Sequence, residues 1–257
     1  MIAATKYIIP VLTLLIVTRS IFSLTCEEIL VMPAEKKLTV QDLESTPPKE
    51  IVKCVAQLGR EQLRSEEAAV IWKSIAQYFG GVAEIPDSVL MLLHWITAAI
   101  APEDYANMTL SNIDVIQNFG LNYNLNDAQL SAIANRVRED FAGKEPEDYT
   151  YYDLTALRQI LCAYNRSEIE RIHPAVYREA ALLVSKLERC SPEVLAGFAA
   201  LAVKEEAFGS PSTWSEATSE IVGKSVAQNV KNIGPEQPAT PPPTPRVTED
   251  LKEKNNN

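Results

Sequence analysis

The chain has 257 residues, 46% of them hydrophobic, and its 34 acidic residues outnumber its 24 basic ones, so the formal charge is -10. This length can bury a sizeable core, either in one domain or in an elongated array. The acidic balance disfavours nucleic acid and anionic membrane surfaces as partners.

The N-terminus has the pattern of a secretory signal peptide. Lys6 precedes an apolar run, and small residues follow at Ser20, Ser23 and Thr25. The apolar run is too short to span a bilayer, so residues 1–23 are predicted to be removed on export, with cleavage after Thr25 as a second option. An N-terminal anchor helix is the alternative. The sequence shows no further membrane span and no C-terminal lipid-anchor signal, which predicts a secreted, extracellular protein.

Nine short helices are predicted between residues 24 and 234. In the stretch TPPKEIVKCVAQLG the apolar residues recur at helical spacing, with Thr46 as the expected N-cap and Gly59 as the expected left-handed stop. The other eight are expected to begin at Ser65, Pro86, Thr109, Asn126, Asp153, Pro174, Ser191 and Ser215. Sustained period-2 alternation is absent, so the predicted fold class is all-α.

Helices of three or four turns with a single apolar stripe are marginal alone and must pack against neighbours. Consecutive helices joined by brief loops predict a right-handed α-solenoid, a superhelix of about nine short helices. The helix expected from Pro86 is apolar on nearly every face and should be covered on several sides. A compact globular bundle is the alternative architecture.

Four cysteines remain after export, Cys26, Cys54, Cys162 and Cys190. An even number in an oxidising compartment predicts two disulfides, for which three connectivities exist. Pairing each cysteine with its neighbour in sequence closes two local loops, each worth about 3 to 4 kcal/mol in the chain-entropy model. Metal binding is the weaker interpretation, because no two cysteines lie within four residues of each other.

Two Asn-x-Ser/Thr sequons, at Asn107 and Asn165, lie in polar breaks between apolar runs. An exported protein can carry N-glycans at such positions. The alternative is that Thr109 only caps a helix and that Asn165 is an unmodified loop residue.

Three acidic-hydrophobic pairs, Asp42-Leu43, Asp104-Tyr105 and Glu168-Ile169, each precede a helix start rich in Thr or Pro. With the stretches LTVQDLESTPPKEIVKCVAQLG and EIERIHPAVYREAALLVSKL, they resemble the repeats of the mesothelin, stereocilin and otoancorin family. The resemblance covers most of residues 38–203 and implies an extracellular superhelix of armadillo-like helices that serves adhesion without catalysis. Many family members are larger and carry a C-terminal lipid-anchor signal, from which this sequence departs.

The sequence offers no nucleophile-base constellation. His94 lies within the most apolar predicted helix, where a core histidine is expected, and His173 stands at a helix start. The acidic pairs Glu66-Glu67 and Glu205-Glu206 are interpreted as solvated helix faces. We therefore expect no enzymatic activity, no metal site and no cofactor.

Residues 235–257 form a tail that cannot build a core. Its first part is rich in proline, which favours extended polyproline II, and the remainder is charged or Asn. A spacer is the favoured interpretation, and a ligand for a proline-recognition domain is the alternative. Thr240 and Thr244 are candidate O-glycan sites.

Two functions are compatible with these features. The first is a glycosylated interaction or cell-matrix adhesion module that binds an extracellular protein or glycan. The second is a secreted carrier of a small apolar ligand, which would need a closed apolar pocket. Tyr149, Tyr151 and Tyr152 are candidate partner contacts, since tyrosine is enriched at interfaces, and packing between helices is their alternative role.

Overall fold

The computed structural model describes residues 23–33 and 36–230, and within them the protein is all-α, with no strand. The α-helices are α1 (Cys26–Leu30), α2 (Val40–Ser45), α3 (Pro48–Lys53), α4 (Val55–Leu58), α5 (Ser65–Phe79), α6 (Asp87–Leu90), α7 (Pro102–Tyr105), α8 (Ile113–Phe119), α9 (Asp127–Asp140), α10 (Tyr151–Leu157), α11 (Arg166–Arg171), α12 (Pro174–Val184), α13 (Pro192–Ala202), α14 (Glu216–Val222) and α15 (Lys224–Val230). Five 3-10 helices span Val82–Glu84, His94–Ala99, Pro146–Asp148, Arg158–Ala163 and Pro211–Thr213. The predicted signal peptide, apart from Ser23, and the predicted tail lie outside the described residues.

The predicted number of nine helices is wrong, since the described residues contain fifteen α-helices. Part of the excess arises because three of the predicted helices are each interrupted by a residue of positive φ. The interruptions fall at His94 (φ 45), Arg158 (φ 41) and Gly223 (φ 83). A left-handed residue cannot continue the right-handed hydrogen-bond ladder, so the helix ends there and a second helical segment begins in a new direction.

Several helices are too short for apolar periodicity to reveal them. The short helices α1, α2 and α11 are each fixed by a capping box, in which the N-cap side chain accepts from the N3 backbone N–H and the N3 carboxylate accepts from the N-cap backbone N–H. Thr46 closes α2 rather than capping the next helix, and its hydroxyl donates to the Asp42 carbonyl oxygen at 2.8 Å. Gly59 is right-handed (φ -83), so its predicted role as a left-handed stop is also wrong.

The helices after α1 fall into three consecutive units with one arrangement. Each unit has a short opening helix, a second helical segment, a long helix, a fourth helix and a closing segment. Unit 1 covers residues 40–99, unit 2 residues 102–163 and unit 3 residues 166–230. In every unit the opening helix and the closing segment both pack on the long helix, which is α5, α9 or α13. The described chain is therefore a helical repeat.

Neighbouring units are joined by packing and by hydrogen bonds. The indole Nε1 of Trp72, on the long helix of unit 1, donates to Asp104 Oδ2 on the opening helix of unit 2 at 2.8 Å. The side-chain amide of Gln129, on the long helix of unit 2, donates to the Ile100 carbonyl oxygen at 2.8 Å. Helix α12 of unit 3 packs on α10 of unit 2. Each unit thus covers the exposed side of the one before it.

The same close backbone approach recurs in the first two units. The backbone N–H of Trp95 donates to the Gly59 carbonyl oxygen, and that of Gln159 donates to the Gly120 carbonyl oxygen, both at 3.0 Å. In unit 3 the close approach is between Ser185 and Gly223. Here the glycine directly precedes the closing segment, whereas in units 1 and 2 it belongs to the segment that the closing segment contacts. The closing segment of every unit is positioned by this contact.

The three acidic-hydrophobic pairs of the sequence open the three units. Leu43, Tyr105 and Ile169 are all buried, on α2, α7 and α11 respectively. Their regular recurrence, at intervals of just over sixty residues, is thus the sequence signature of the structural repeat.

Both disulfides join the pairs that the local-loop argument predicts. Cys26 is bonded to Cys54 and Cys162 to Cys190, each across a sequence separation of 28, with Cα–Cα distances of 5.3 and 4.6 Å. The first ties α1 to the end of α3, and the second ties the closing segment of unit 2 to the start of α13. Such bonds are typical of an oxidising compartment.

No helix among the described residues combines the length and the apolar character needed to cross a membrane. The most apolar predicted helix is partly covered: Leu93, Ile96 and Ile100 are fully buried, whereas Leu92 is 36% exposed. The prediction that this helix is covered on several sides is therefore confirmed only for its inward-facing residues.

Candidate functional site

The three candidate tyrosines occupy different environments. Tyr149 is 3% exposed, its ring packs against Phe141, and its hydroxyl is hydrogen-bonded to the hydroxyl of Tyr164 at 2.9 Å. Burial raises the pKa of the Tyr149 hydroxyl. Tyr149 is therefore a core residue, and its predicted role as a partner contact is corrected.

Tyr151 and Tyr152 are the first two residues of α10 and lie at the surface. They are 39% and 73% exposed, and their rings meet edge to face with centroids 5.7 Å apart. The preceding residue, Thr150, is the N-cap, and its hydroxyl donates to the buried carboxylate of Asp153 at 2.8 Å. Lys144 pairs with the same carboxylate at 2.7 Å. These bonds fix the backbone at the N-terminus of α10, from which the two exposed rings project.

A groove of about 400 Å³ lies beside Tyr151, between units 2 and 3. We name it the Tyr151–Leu182 groove after the residues on its two sides. It is lined by Gly120, Leu121, Asn122, Tyr151, Arg158, Gln159, Glu179, Leu182, Leu183, Lys186 and Leu187. Leu182, on α12, is 53% exposed, because it lies on the side of the helix away from the buried stripe formed by Tyr177, Ala180, Ala181 and Val184.

The far wall of the groove is anchored to unit 2 by polar contacts with one residue. The Gln159 side-chain amide donates to the Glu188 carbonyl oxygen, while the Glu188 N–H donates to Gln159 Oε1 at 3.3 Å. Asn122 Nδ2 donates to Glu188 Oε2 at 2.9 Å. The disulfide between Cys162 and Cys190 closes the same corner. The groove is therefore built on a cross-linked junction and not on a free loop.

The groove carries charge of both signs. Arg158 and Lys186 contribute two cations and Glu179 one carboxylate, and among the described residues none of the three is in an ion pair within 4.0 Å. Arg158 donates through Nε to the Thr155 carbonyl oxygen at 2.8 Å, which fixes the base of its side chain. An open groove lined by apolar side chains and by charges of both signs suits an extended peptide better than a small neutral ligand.

A second groove, of about 350 Å³, lies between α1 and α5. Its walls include Ile29, Leu38 and Leu58 together with Lys36 and Lys37. Both grooves are open to solvent and have charged residues in their walls, unlike the closed apolar pocket that a lipid carrier requires.

Both sequon asparagines are exposed. Asn107 follows α7, and its Nδ2 donates to the Glu103 carbonyl oxygen at 3.2 Å. Asn165 is the N-cap of α11, and its Oδ1 accepts from the Glu168 backbone N–H at 2.9 Å. Because the cap uses the oxygen and a glycan attaches to the nitrogen, capping and glycosylation of Asn165 are compatible.

A cluster next to Asn165 was not predicted from the sequence. The guanidinium of Arg138 lies 4.8 Å from the ring centroid of Tyr164 and is bonded to Glu168 at 2.6 Å. Burial, the largest effect, acts to raise the pKa of Glu168, but hydrogen bonds from Arg138 and from the Asn165 N–H outweigh it and lower that pKa. The pairing crosses from unit 2 to unit 3 and joins residues 30 apart in sequence, which no local pattern reveals.

Each of the two histidines makes a hydrogen bond within the fold. His94 Nδ1 is 3.2 Å from the Tyr123 hydroxyl, and His173 is the N-cap of α12, accepting from the Ala175 N–H at 3.3 Å.

Glu67, interpreted as part of a solvated face, is in fact 8% exposed and pairs with Arg64, whose hydrogen bond lowers the carboxyl pKa. Within the described ranges no group of three or more His, Cys, Asp or Glu side chains could hold a metal ion.

Comparison of the chain with models of known families and with curated proteins finds no match. The resemblance to the mesothelin, stereocilin and otoancorin family stays a prediction.

Proposed function

We propose that this protein is a secreted, glycosylated and non-catalytic interaction module that binds an extracellular protein or glycan, as the resemblance to mesothelin-like adhesion proteins implies. Its three units are proposed to stack as a right-handed superhelix, which provides an extended surface for a partner. The single observation that carries the proposal is the exposure of Tyr151, Tyr152 and Leu182 beside one groove.

The exposed residues have the chemistry of an interface centre. Tyrosine supplies large apolar area together with a hydrogen-bonding group, and buried aromatic anchors account for much of the binding energy in protein interfaces. The two rings stand on a capped helix end, so the backbone that bears them is already ordered before a partner covers them. These features favour a protein partner, although a glycan ring could also stack on a tyrosine.

A carrier of a small apolar ligand is the alternative function. It would need an enclosed cavity, and the two open grooves, both with charged residues in their lining, favour surface binding instead. We therefore place the carrier second.

The test is capture of partners from extracellular material with the glycosylated mature protein, in parallel with a variant carrying Tyr152→Ala and Leu182→Asp. Both side chains are exposed, so the variant should fold normally and lose the partner. Tyr78→Ala is the matched control, because Tyr78 is 46% exposed on α5 of unit 1. A partner captured equally by all three proteins would contradict the proposed binding face. Saturable binding of fatty acids by the native protein would favour the carrier.

A further inference from the structure

The Tyr151–Leu182 groove has the properties of a site for a proline-rich segment. Such segments dock in shallow grooves whose walls are aromatic, because the flat faces of proline rings pack on flat side chains. Here the lining contains one aromatic side chain, that of Tyr151, together with the exposed Leu182 and with Gly120, which has no side chain to obstruct a segment lying across it. A preformed polyproline II helix loses little entropy on binding, so a groove of modest area is sufficient.

The same chain supplies a segment of this chemistry. After Val230, where the description ends, the sequence continues to PEQPATPPPTP at residues 235–245, with six prolines in eleven positions. The occupant can therefore be sought within the molecule before an external one is invoked.

The path from α15 back to the groove is short. Gly223, just before α15, is so close to Ser185 that a Cβ on it would lie 2.6 Å from the Ser185 Cβ. Ser185 directly precedes Lys186, which lines the groove. The seven residues of α15 extend about 10 Å, whereas an extended segment from residue 231 to residue 241 reaches about 30 Å. A segment of this length is therefore long enough to span from the end of α15 to the groove.

Charge also matches. Arg158 and Lys186 are cations of the groove that form no ion pair among the described residues. The prolines are followed by the acidic pair Glu249 and Asp250. Arg246 has the charge that complements Glu179, the acidic residue of the groove lining. Complementary charge fixes the direction in which an extended segment lies and selects against other segments.

We propose that residues 235–245 of the same chain bind in the Tyr151–Leu182 groove and cover it until a partner displaces them. This docking does not depend on the proposed adhesion function, since it concerns the chain alone. It does add a consequence, because a partner that uses the groove must compete with the tail. Removal of the prolines should then increase partner capture.

The experiment is nuclear magnetic resonance of the full mature chain with labelled leucine methyl groups. We expect nuclear Overhauser effects between the Leu182 methyl protons and proline δ protons. A variant with Pro241→Ala, Pro242→Ala and Pro243→Ala should lose them, and its Leu182 signals should shift. The control variant, with Asn255, Asn256 and Asn257 each changed to Ala, should behave as the native chain. A synthetic peptide of residues 235–251, added to the triple-proline variant, should restore the native Leu182 signals.

Two results would overturn the inference. Identical Leu182 signals in the native chain and the triple-proline variant would show that the tail does not touch the groove. Signals that change with protein concentration would show that the tail binds a second copy instead. Either result leaves the partner-capture test of Tyr152 and Leu182 valid, so a failure here is distinguishable from a failure of the proposed function.

Discussion

The carbonyl oxygen of Gly59 accepts a hydrogen bond of 3.0 Å from the backbone N–H of Trp95, and this contact leaves no room for a side chain. A Cβ on Gly59 would lie 2.2 Å from the Leu93 carbonyl oxygen. A Cβ on Gly120, at the equivalent position in unit 2, would lie 2.2 Å from the Ala156 carbonyl oxygen. The repeat therefore requires glycine at two positions with ordinary right-handed φ. The requirement is steric, because a Cβ would clash with backbone atoms, and does not arise from the backbone conformation.

Substituting either glycine tests this steric requirement. Gly59→Ala and Gly120→Ala should each lower the free energy of unfolding by about 3 kcal/mol or more, because the clash is with backbone atoms that cannot rotate away. Gly80→Ala is the control: nothing lies within 4 Å of its Cβ position, so only the left-handed φ of 82 opposes the change, at about 1 kcal/mol. Chemical denaturation measures all three. Equal losses at the three sites would contradict the steric explanation.

The disulfides should contribute equally. Replacing Cys26 and Cys54 together, or Cys162 and Cys190 together, opens a loop of the same length. In the chain-entropy model each pair contributes about 3 to 4 kcal/mol to the free energy of unfolding. Non-reducing peptide mapping should recover both native pairs from the secreted protein. A peptide that links Cys54 to Cys162 would show that the local pairing is incorrect.

The ion pair between Arg138 and Glu168 should make stability depend on pH on the acid side. The folded pKa of Glu168 is lowered, so the folded state binds that proton less readily than the unfolded chain does. The stabilisation is therefore complete above the ordinary glutamate pKa and is lost as pH falls through the lowered folded value. Thermal unfolding measured from pH 6 downward should show the loss.

Glu168→Gln isolates the charge in this pair. Glutamine can still close a capping box, as Gln129 does in α9, so the cap of α11 is retained. The variant should lose about 1 to 3 kcal/mol near neutral pH, because the partly buried Arg138 is left without its carboxylate. The melting temperature of the variant should also depend less on pH, below pH 6, than that of the native protein. Glu170→Gln, which breaks a surface pair with Arg166, should change little. An unchanged acid dependence in Glu168→Gln would exclude this carboxylate as its source.

Glycosylation and capping at Asn165 can be separated by the choice of variant. Ser167→Ala removes the sequon but keeps the asparagine cap, whereas Asn165→Gln removes both. Each should abolish part of the mass shift produced by enzymatic removal of N-glycans. Only Asn165→Gln should also lower the free energy of unfolding of the deglycosylated protein, by about 1 kcal/mol. Asn107→Gln should remove the remaining part of the mass shift. If deglycosylation of native protein secreted by eukaryotic cells changes no mass, neither sequon is used.

A stack of three units should be longer than a globule of the same mass. X-ray scattering of the mature chain should give a radius of gyration above the roughly 18 Å that the compact-domain relation predicts for this size. A smaller value would favour the compact bundle over the superhelix.

The sequence predicted the helical class and the disulfide pairs, because both depend on local features. Apolar spacing identified the long helices such as α9, and the separation of Cys162 from Cys190 indicated a local loop. The helix count failed at His94 and Arg158, where ordinary residues adopt a left-handed φ. Nothing in their chemistry signals this conformation. In both cases the next residue, Trp95 or Gln159, donates its backbone N–H to the carbonyl oxygen of a glycine distant in sequence.

The groove was only partly predictable. Tyr151 and Tyr152 were identified by residue type, but the same reasoning included Tyr149, which is buried. Leu182 was missed because α12 is rich in apolar residues and was treated as one inward-facing helix. Helical periodicity could have predicted its exposure, since Leu182 lies off the buried stripe formed by Tyr177, Ala180, Ala181 and Val184.

The order of the two disulfides along the chain has a consequence for biosynthesis. No other cysteine lies between Cys26 and Cys54, or between Cys162 and Cys190. A chain threaded N-terminus first into an oxidising compartment would thus present Cys54 to Cys26 before either later cysteine had emerged. The first thiol that each cysteine meets is then its native partner. Such vectorial pairing needs no reshuffling, so the protein should reach its oxidised state without an isomerase correcting wrong bonds.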